Sequence, residues 1–214
     1  MSASSSGNDR KKAAGILRFL ATRYGEIPWW PGDTDEVMIG AILTQQTRWE
    51  NVERALDRLR QKNLDTLFAI QEADPGDIES AIRCTGFFRV KTKRLRALAA
   101  FVRDRGGIPQ LKDLPTPVLR EGLIGVPGIG EETADSILCY GFGRASFVVD
   151  AYTERIARCA GVTTPRPGLK ALFESVLPKE NKAYRQAHAH IVEYAKEECT
   201  KKRCDGCRIL ALNG

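Results

Sequence analysis

Gly122-Leu-Ile-Gly-Val-Pro-Gly-Ile-Gly-Glu-Glu-Thr-Ala-Asp-Ser-Ile-Leu-Cys139, followed by Val148-Val-Asp-Ala-Tyr-Thr-Glu-Arg155, is the stretch on which the reading of this 214-residue chain turns. Its centre, Val126-Pro-Gly-Ile-Gly130, is too rich in glycine and proline to continue a helix. Helical patterns over 117–124 and 131–142 flank it, with Ile137, Leu138 and Gly141 on the inner face of the second. The stretch therefore predicts two short helices joined by a tight hairpin. Glycine permits φ > 0 and a close backbone approach, and the N–H groups that open the second helix make an anion site. Val126, Gly128, Ile129, Gly130 and Thr133 are thus candidates for holding a nucleic-acid phosphate, a contact that positions DNA without reading its sequence. An ordinary helix–turn–helix corner accounts for the glycines equally well. Glu131 and Glu132 favour the helix dipole and are expected to point away from a phosphate.

Working outward, Asp150 ends an apolar run and precedes a helical pattern. A fixed carboxylate in a poorly hydrated place stabilises developing positive charge and can orient or deprotonate a water. It can also simply cap the helix starting at Ala151, through the N–H near Thr153. One carboxylate has enough acceptor sites for both.

Lys plus Arg is 33 and Asp plus Glu is 27, a formal net charge of +6 that fits a polyanionic partner. No apolar run approaches the roughly 18 residues that span a bilayer, and no signal-peptide pattern opens the chain. A cytoplasmic protein is expected, nucleoid-associated in a prokaryote, neither secreted nor bound to a membrane. The Ser-rich residues 1–9 predict a disordered lead-in. Of six cysteines, Cys84, Cys139 and Cys159 lie on apolar segments and are expected to be buried thiols. Cys199, Cys204 and Cys207 are clustered, and the split suits a reducing compartment.

Almost every periodic segment is helical. Met38, Ile42 and Leu43 share a face, as do Val52, Ala55, Leu56 and Leu59, and Leu95, Leu98, Ala99 and Val102. Thr47-x-x-Glu50 predicts a capping box, which leaves Gln45 and Gln46 in a break between helices. Gly106-Gly107 closes one helix, Thr116-Pro117 predicts an N-cap followed by proline, and 184–198 predicts a final helix carrying His188. No strand-length alternation stands out, so the class is all-α.

With Asp150 added to the hairpin, the sequence resembles the helix-hairpin-helix, Gly/Pro-rich, aspartate (HhH-GPD) superfamily of DNA base-excision glycosylases, in its endonuclease III branch. Supporting pieces are Ile39-Gly-Ala-Ile-Leu-Thr-Gln-Gln-Thr47 and Thr85-Gly-Phe-Phe-Arg-Val-Lys-Thr-Lys-Arg-Leu95. Trp29-Trp30-Pro31 and Leu43-Thr-Gln-Gln-Thr-Arg-Trp49 look most like the 3-methyladenine glycosylases of endonuclease III type.

The resemblance implies two helical domains: a six-helix barrel with the hairpin over 34–142, and a second domain from 10–33 and 143–214. The cleft between them would take an extruded nucleotide, with Asp150 at its rim as the catalytic residue. Trp29, Trp30, Pro31 and Trp49 would form the base pocket, where an aromatic face binds a cationic alkylated purine more strongly than a neutral base; core packing is the plain alternative for these side chains. Gln46, or else Gln45, would fill the gap left in the duplex, and Arg89, Lys91, Lys93, Arg94 and Arg96 could follow phosphates or form a solvated face. Strand-cleaving members carry a lysine two places after the last hairpin glycine, where its amine forms a Schiff base. Glu132 stands there instead.

Family members often hold a 4Fe–4S cluster on four cysteines. Here the first gap in Cys199-x4-Cys204-x2-Cys207 is two residues short and Asn213 occupies the fourth place. No cofactor is expected, with a cluster or a zinc site left as the alternative. His188 and His190 are expected to pack or line the cleft. The expected partner is double-stranded DNA containing a damaged base, bound by a monomer. The function expected is base-excision hydrolysis of the N-glycosidic bond of alkylated purines, 3-methyladenine first, without strand cleavage. One alternative is an endonuclease III-like glycosylase for oxidised or deaminated bases with weak lyase action; the other is a non-catalytic DNA-binding module.

Overall fold

The computed structural model describes residues 3–30, 32–199 and 207–212, with side chains from residue 7 onward. Pro31 and Cys204, both singled out above, lie outside the described residues, as does Asn213. The described residues contain helices and no strand. The chain divides into two compact units, residues 30–143 and residues 1–29 with 144–214.

The unit of residues 30–143 carries α2 (Thr34–Leu43), α3 (Trp49–Gln61), α4 (Leu67–Glu72), α5 (Pro75–Ile82), α6 (Phe88–Arg103), α7 (Ile108–Asp113), α8 (Thr116–Ile124) and α9 (Glu131–Ser136). A single π turn, Ile137–Gly141, extends α9. α2 is its core helix. Val37 through Leu43 are all buried, because the segment has no polar face to offer water. α3 and α6 are amphipathic and bury the stripes their sequences predict, Val52, Ala55, Leu56 and Leu59 on one and Leu95, Leu98, Ala99 and Val102 on the other. Thr34 Oγ1 donates to Gly141 O at 2.9 Å, pinning the start of α2 to the π turn.

Two predicted helix starts move. The capping box at Thr47 and Glu50 does not form: α3 begins at Trp49 after Arg48, with no side-chain cap, and Thr47 Oγ1 accepts from Asn51 Nδ2 instead. The Arg48 backbone is extended, so the turn closes one residue later than the Thr-x-x-Glu spacing needs. α8 likewise takes Pro115 as its N-cap and includes Thr116. Gly106 and Gly107, at φ +84° and +100°, stop α6 as expected.

The second unit holds α1 (Ala3–Tyr24), α10 (Ala151–Cys159), α11 (Arg166–Glu174), α12 (Asn181–Tyr194) with a π turn at Ala195–Cys199, and α13 (Arg208–Ala211). The lead-in expected to be disordered is a correction. α1 already starts at Ala3, and Asp9 is buried, accepting from the backbone N–H and hydroxyl groups of Thr163 and Thr164. A carboxylate gathering those donors ties α1 to the loop before α11, a distant partner that no local pattern reveals. α13 follows the helix expected to be the last. Of the three thiols expected to be buried, Cys139 is, whereas Cys84 and Cys159 are only partly so.

Candidate active site and nucleic-acid interface

In the terminal unit, Asp150 is the N-cap of α10. Its Oδ1 accepts from Thr153 N at 2.7 Å and from Thr153 Oγ1 at 2.9 Å. Its Oδ2 faces His188 Nε2 of α12 at 3.5 Å. The aspartate side chain is 16% exposed and the histidine 8%. Burial pushes the Asp150 carboxyl up, but the His188 imidazole and the Thr153 donors together outweigh it and hold the carboxyl below the usual carboxylate range. The result is a desolvated carboxylate that stays ionised at neutral pH, a group suited to facing a developing cation.

The apolar run before Asp150 packs inward. Phe147 and Val148 are buried, and Phe147 stacks on Phe173 with centroids 5.1 Å apart. Trp29 meets the His188 ring edge-to-face at 6.5 Å, its carbonyl accepts from Arg185 NH2 at 2.8 Å, and Lys196 Nζ lies 5.2 Å from its ring centroid. His190, on the same helix, stacks on Tyr24 and lies 2.7 Å from Gly25 O, as a packing residue would.

In the unit of residues 30–143 the hairpin forms between α8 and α9. Gly128 takes φ +87°. A Cβ there would come within 2.5 Å of Arg94 Cδ and Cγ, so a side chain would be strained by the backbone and would have to displace Arg94. Gly130, by contrast, is an extended N-cap at φ −90° with open space around it. Val126 and Ile129 are buried and anchor the loop from below. Glu131 is exposed. Arg120 on α8 grips Asp135 on α9 with two bonds, Nε to Oδ1 at 2.9 Å and NH2 to Oδ2 at 3.0 Å. This fork across the hairpin escaped sequence reading; its signal is an arginine and an aspartate fifteen positions apart on either side of the glycines.

Gln45 and Gln46 do lie in a break between helices, and the structure separates them. Gln45 Nε2 donates to Gly128 O at 3.0 Å and to Thr133 Oγ1 at 3.2 Å, and its Oε1 accepts from Arg94 NH1. Gln46 is exposed with φ +56°. It borders an open depression lined by Thr47, Arg48, Glu50, Asn51 and Arg54. A second strained position was not anticipated. Phe87 has φ +46° and is 64% exposed, beside Arg89 at the start of α6. An exposed phenylalanine in a left-handed turn is costly unless something uses it.

The aromatic residues divide between the units: Trp29 belongs to one and Trp30 to the other. Trp30, at φ +40°, packs edge-to-face on Trp49 at 5.1 Å and against Tyr140 at 5.8 Å. Gly40 on α2 makes room for the Trp30 ring, since a Cβ there would sit 2.5 Å from Cζ2. The basic face predicted along α6 needs correction. Lys91 is buried and donates to Leu43 O at 2.8 Å and Thr85 O at 2.9 Å, Arg94 holds Gln45, and Arg96 NH1 donates to Ala73 O at 2.9 Å. Only Arg89 and Lys93 of the five remain exposed. Desolvation, with Arg94 close by, pushes Lys91 down to about 8.

The tail offers three cysteines, one thiolate fewer than a 4Fe–4S cluster takes. Cys207 Sγ lies 3.2 Å from the Tyr194 hydroxyl, and among the described residues no three His, Cys, Asp or Glu side chains gather as a metal site. No helix among the described residues is long and apolar enough to cross a membrane.

The HhH-GPD superfamily base excision DNA repair protein family matches residues 39–179. A Methanocaldococcus jannaschii protein named as a candidate DNA repair glycosylase is 42% identical over 202 residues, covering 91% of this chain and 92% of that protein. Endonuclease III of Thermotoga maritima is 27% identical, over 82% and 80% of the two chains. The crystal structure of the Helicobacter pylori 3-methyladenine DNA glycosylase bound to 1,N6-ethenoadenine superposes with a TM-score of 0.78 at 27% identity, covering 86% of this chain and 97% of that one. The chain belongs to the HhH-GPD superfamily of base excision DNA repair proteins, among its endonuclease III-like DNA glycosylases.

Proposed function

We propose that this DNA N-glycosylase is monofunctional and releases alkylated purines, 3-methyladenine first, from double-stranded DNA. The observation that carries the monofunctional reading is Glu132, where a strand-cleaving relative needs an amine: a carboxylate cannot form the Schiff base. The lesion class draws support from the Trp30–Trp49–Tyr140 cluster, because a cationic purine gains most from an aromatic face. It also draws support from the likeness to the Helicobacter pylori enzyme.

In this reading the C1′–N bond breaks with its electron pair leaving on the base. Asp150 stabilises the cationic sugar and takes the proton of the water whose oxygen bonds to C1′. An alkylated purine leaves as a neutral base, so no general acid is required. The hairpin and the N–H groups that open α9 hold a phosphate. Gln46 enters the gap left by the extruded base, and Gln45 ties that loop to Gly128. Phe87 inserts into the stack from its strained turn. A substrate of chromosomal DNA places the enzyme in the compartment that holds it.

A panel of lesion-bearing duplexes, assayed for free base and for borohydride trapping, tests the proposal. Release of 3-methyladenine with no trapped adduct is expected. Release of oxidised or deaminated bases instead, with a strong trapped band, overturns both halves of it.

A further inference from the structure

We propose that His188 is a positioning residue for base release, holding Asp150 as an oriented carboxylate from the side opposite Thr153. The inference rests on the reading of Asp150 given above and adds a second residue to it. Three observations converge. Asp150 divides its oxygens: Oδ1 takes both Thr153 donors, at 2.7 and 2.9 Å, and Oδ2 faces His188 Nε2 at 3.5 Å. The imidazole is itself fixed, meeting Phe147 and Trp29 edge-to-face, each at 6.5 Å. It is also buried, so little solvent screens it from the carboxylate.

A desolvated carboxylate tends to take up a proton, and a neutral acid cannot stabilise a sugar cation. Thr153 supplies neutral donors only, whereas an imidazole can supply a positive charge. Charged side chains elsewhere in this unit have partners of their own. Arg166 pairs with Glu154 at 2.9 Å and also donates to Val149 O, Lys170 lies 3.6 Å from Glu174, Arg185 holds the Trp29 carbonyl, and Lys196 pairs with Glu193 at 2.9 Å. His188 Nε2 itself faces Oδ2. In agreement, the imidazole is the largest influence opposing the upward push of burial on Asp150.

The test compares wild type with His188→Phe and His188→Gln in single-turnover base release from a 3-methyladenine duplex, between about pH 5 and about pH 8. Thermal midpoints and DNA affinities are measured alongside. His188→Phe is expected to lose rate by about tenfold or more at the acid end, with the gap narrowing as pH rises. His188→Gln, which keeps a donor but no charge, is expected to fall between the two. Acid limbs that coincide with wild type in both variants, or a pH-independent loss that tracks a lowered thermal midpoint, overturn the proposal. Asp150→Asn assayed in parallel separates the failures: an active Asp150→Asn removes the parent reading, whereas an inactive one beside unaltered His188 variants removes only this inference.

Discussion

Asp150 combines a structural and a chemical task in one carboxylate. Capping α10 fixes its direction, and the same hydrogen bonds help to keep it charged although it is half-buried. Because its folded value lies below the usual carboxylate range, its contribution to stability is present above the unfolded value and fades as pH falls through the folded one. Asp150→Asn keeps an acceptor for Thr153 and removes the charge. Base release is expected to drop by about a hundredfold or more, with DNA binding retained in a gel-shift assay; equal turnover removes the role. Trp49→Ala is expected to slow release of alkylated bases by roughly tenfold, the size of a desolvated cation–π contact, a loss larger than its fall in thermal midpoint explains. Unchanged release with a lowered midpoint makes Trp49 a packing partner of Trp30 only. Both residues stand out in the sequence, Asp150 by its place after the hairpin and Trp49 as one of three tryptophans. His188 is legible only as a packing or cleft-lining residue, since nothing in the local pattern says which side chain a helix about forty residues later will turn toward a carboxylate.

α6 shows where charge patterning misleads. Five basic residues within 89–96 read as a phosphate track, yet three of them turn inward to serve carbonyl or amide oxygens. Long aliphatic stems let Lys and Arg reach such groups from a helix surface. Lys91 joins the end of α2 to the turn before α6, so Lys91→Met leaves two buried carbonyls without their donor, at a cost of about 1–3 kcal/mol. Folding lowers Lys91 to about 8 from the ordinary 10.5, so between those values the unfolded chain binds the extra proton and the folded protein gains stability as pH rises. The thermal midpoint of wild type relative to Lys91→Met is expected to climb across that interval. A flat difference shows that Lys91 titrates as if in water. The hairpin is the opposite case. Glycine and proline state its shape outright, and only the Arg120–Asp135 fork and the Gln45 tie are added by packing.

The chain crosses between its two units twice, at Trp29/Trp30 and at Gly143/Arg144. The terminal unit draws on both chain ends: α1 docks through Asp9 onto Thr163 and Thr164. Its tail carries three cysteines, and purified protein is expected to lack stoichiometric iron and the visible absorbance of an iron–sulfur cluster. A brown preparation with about four irons per chain overturns that expectation.

The amino-acid order alone determined the all-helical class, the hairpin, the family resemblance, the absence of an amine at Glu132 and the cap at Asp150. Each of these is local, because helix periodicity, glycine freedom and capping depend on residues a few positions apart. Only the folded chain settled that Gln45 is tied down while Gln46 is exposed, that Lys91 lies inside, that Trp30 packs with Trp49, and that His188 faces Asp150. Those facts depend on which surfaces meet across long stretches of chain, and burial and hydrogen-bond satisfaction are fixed only when they do.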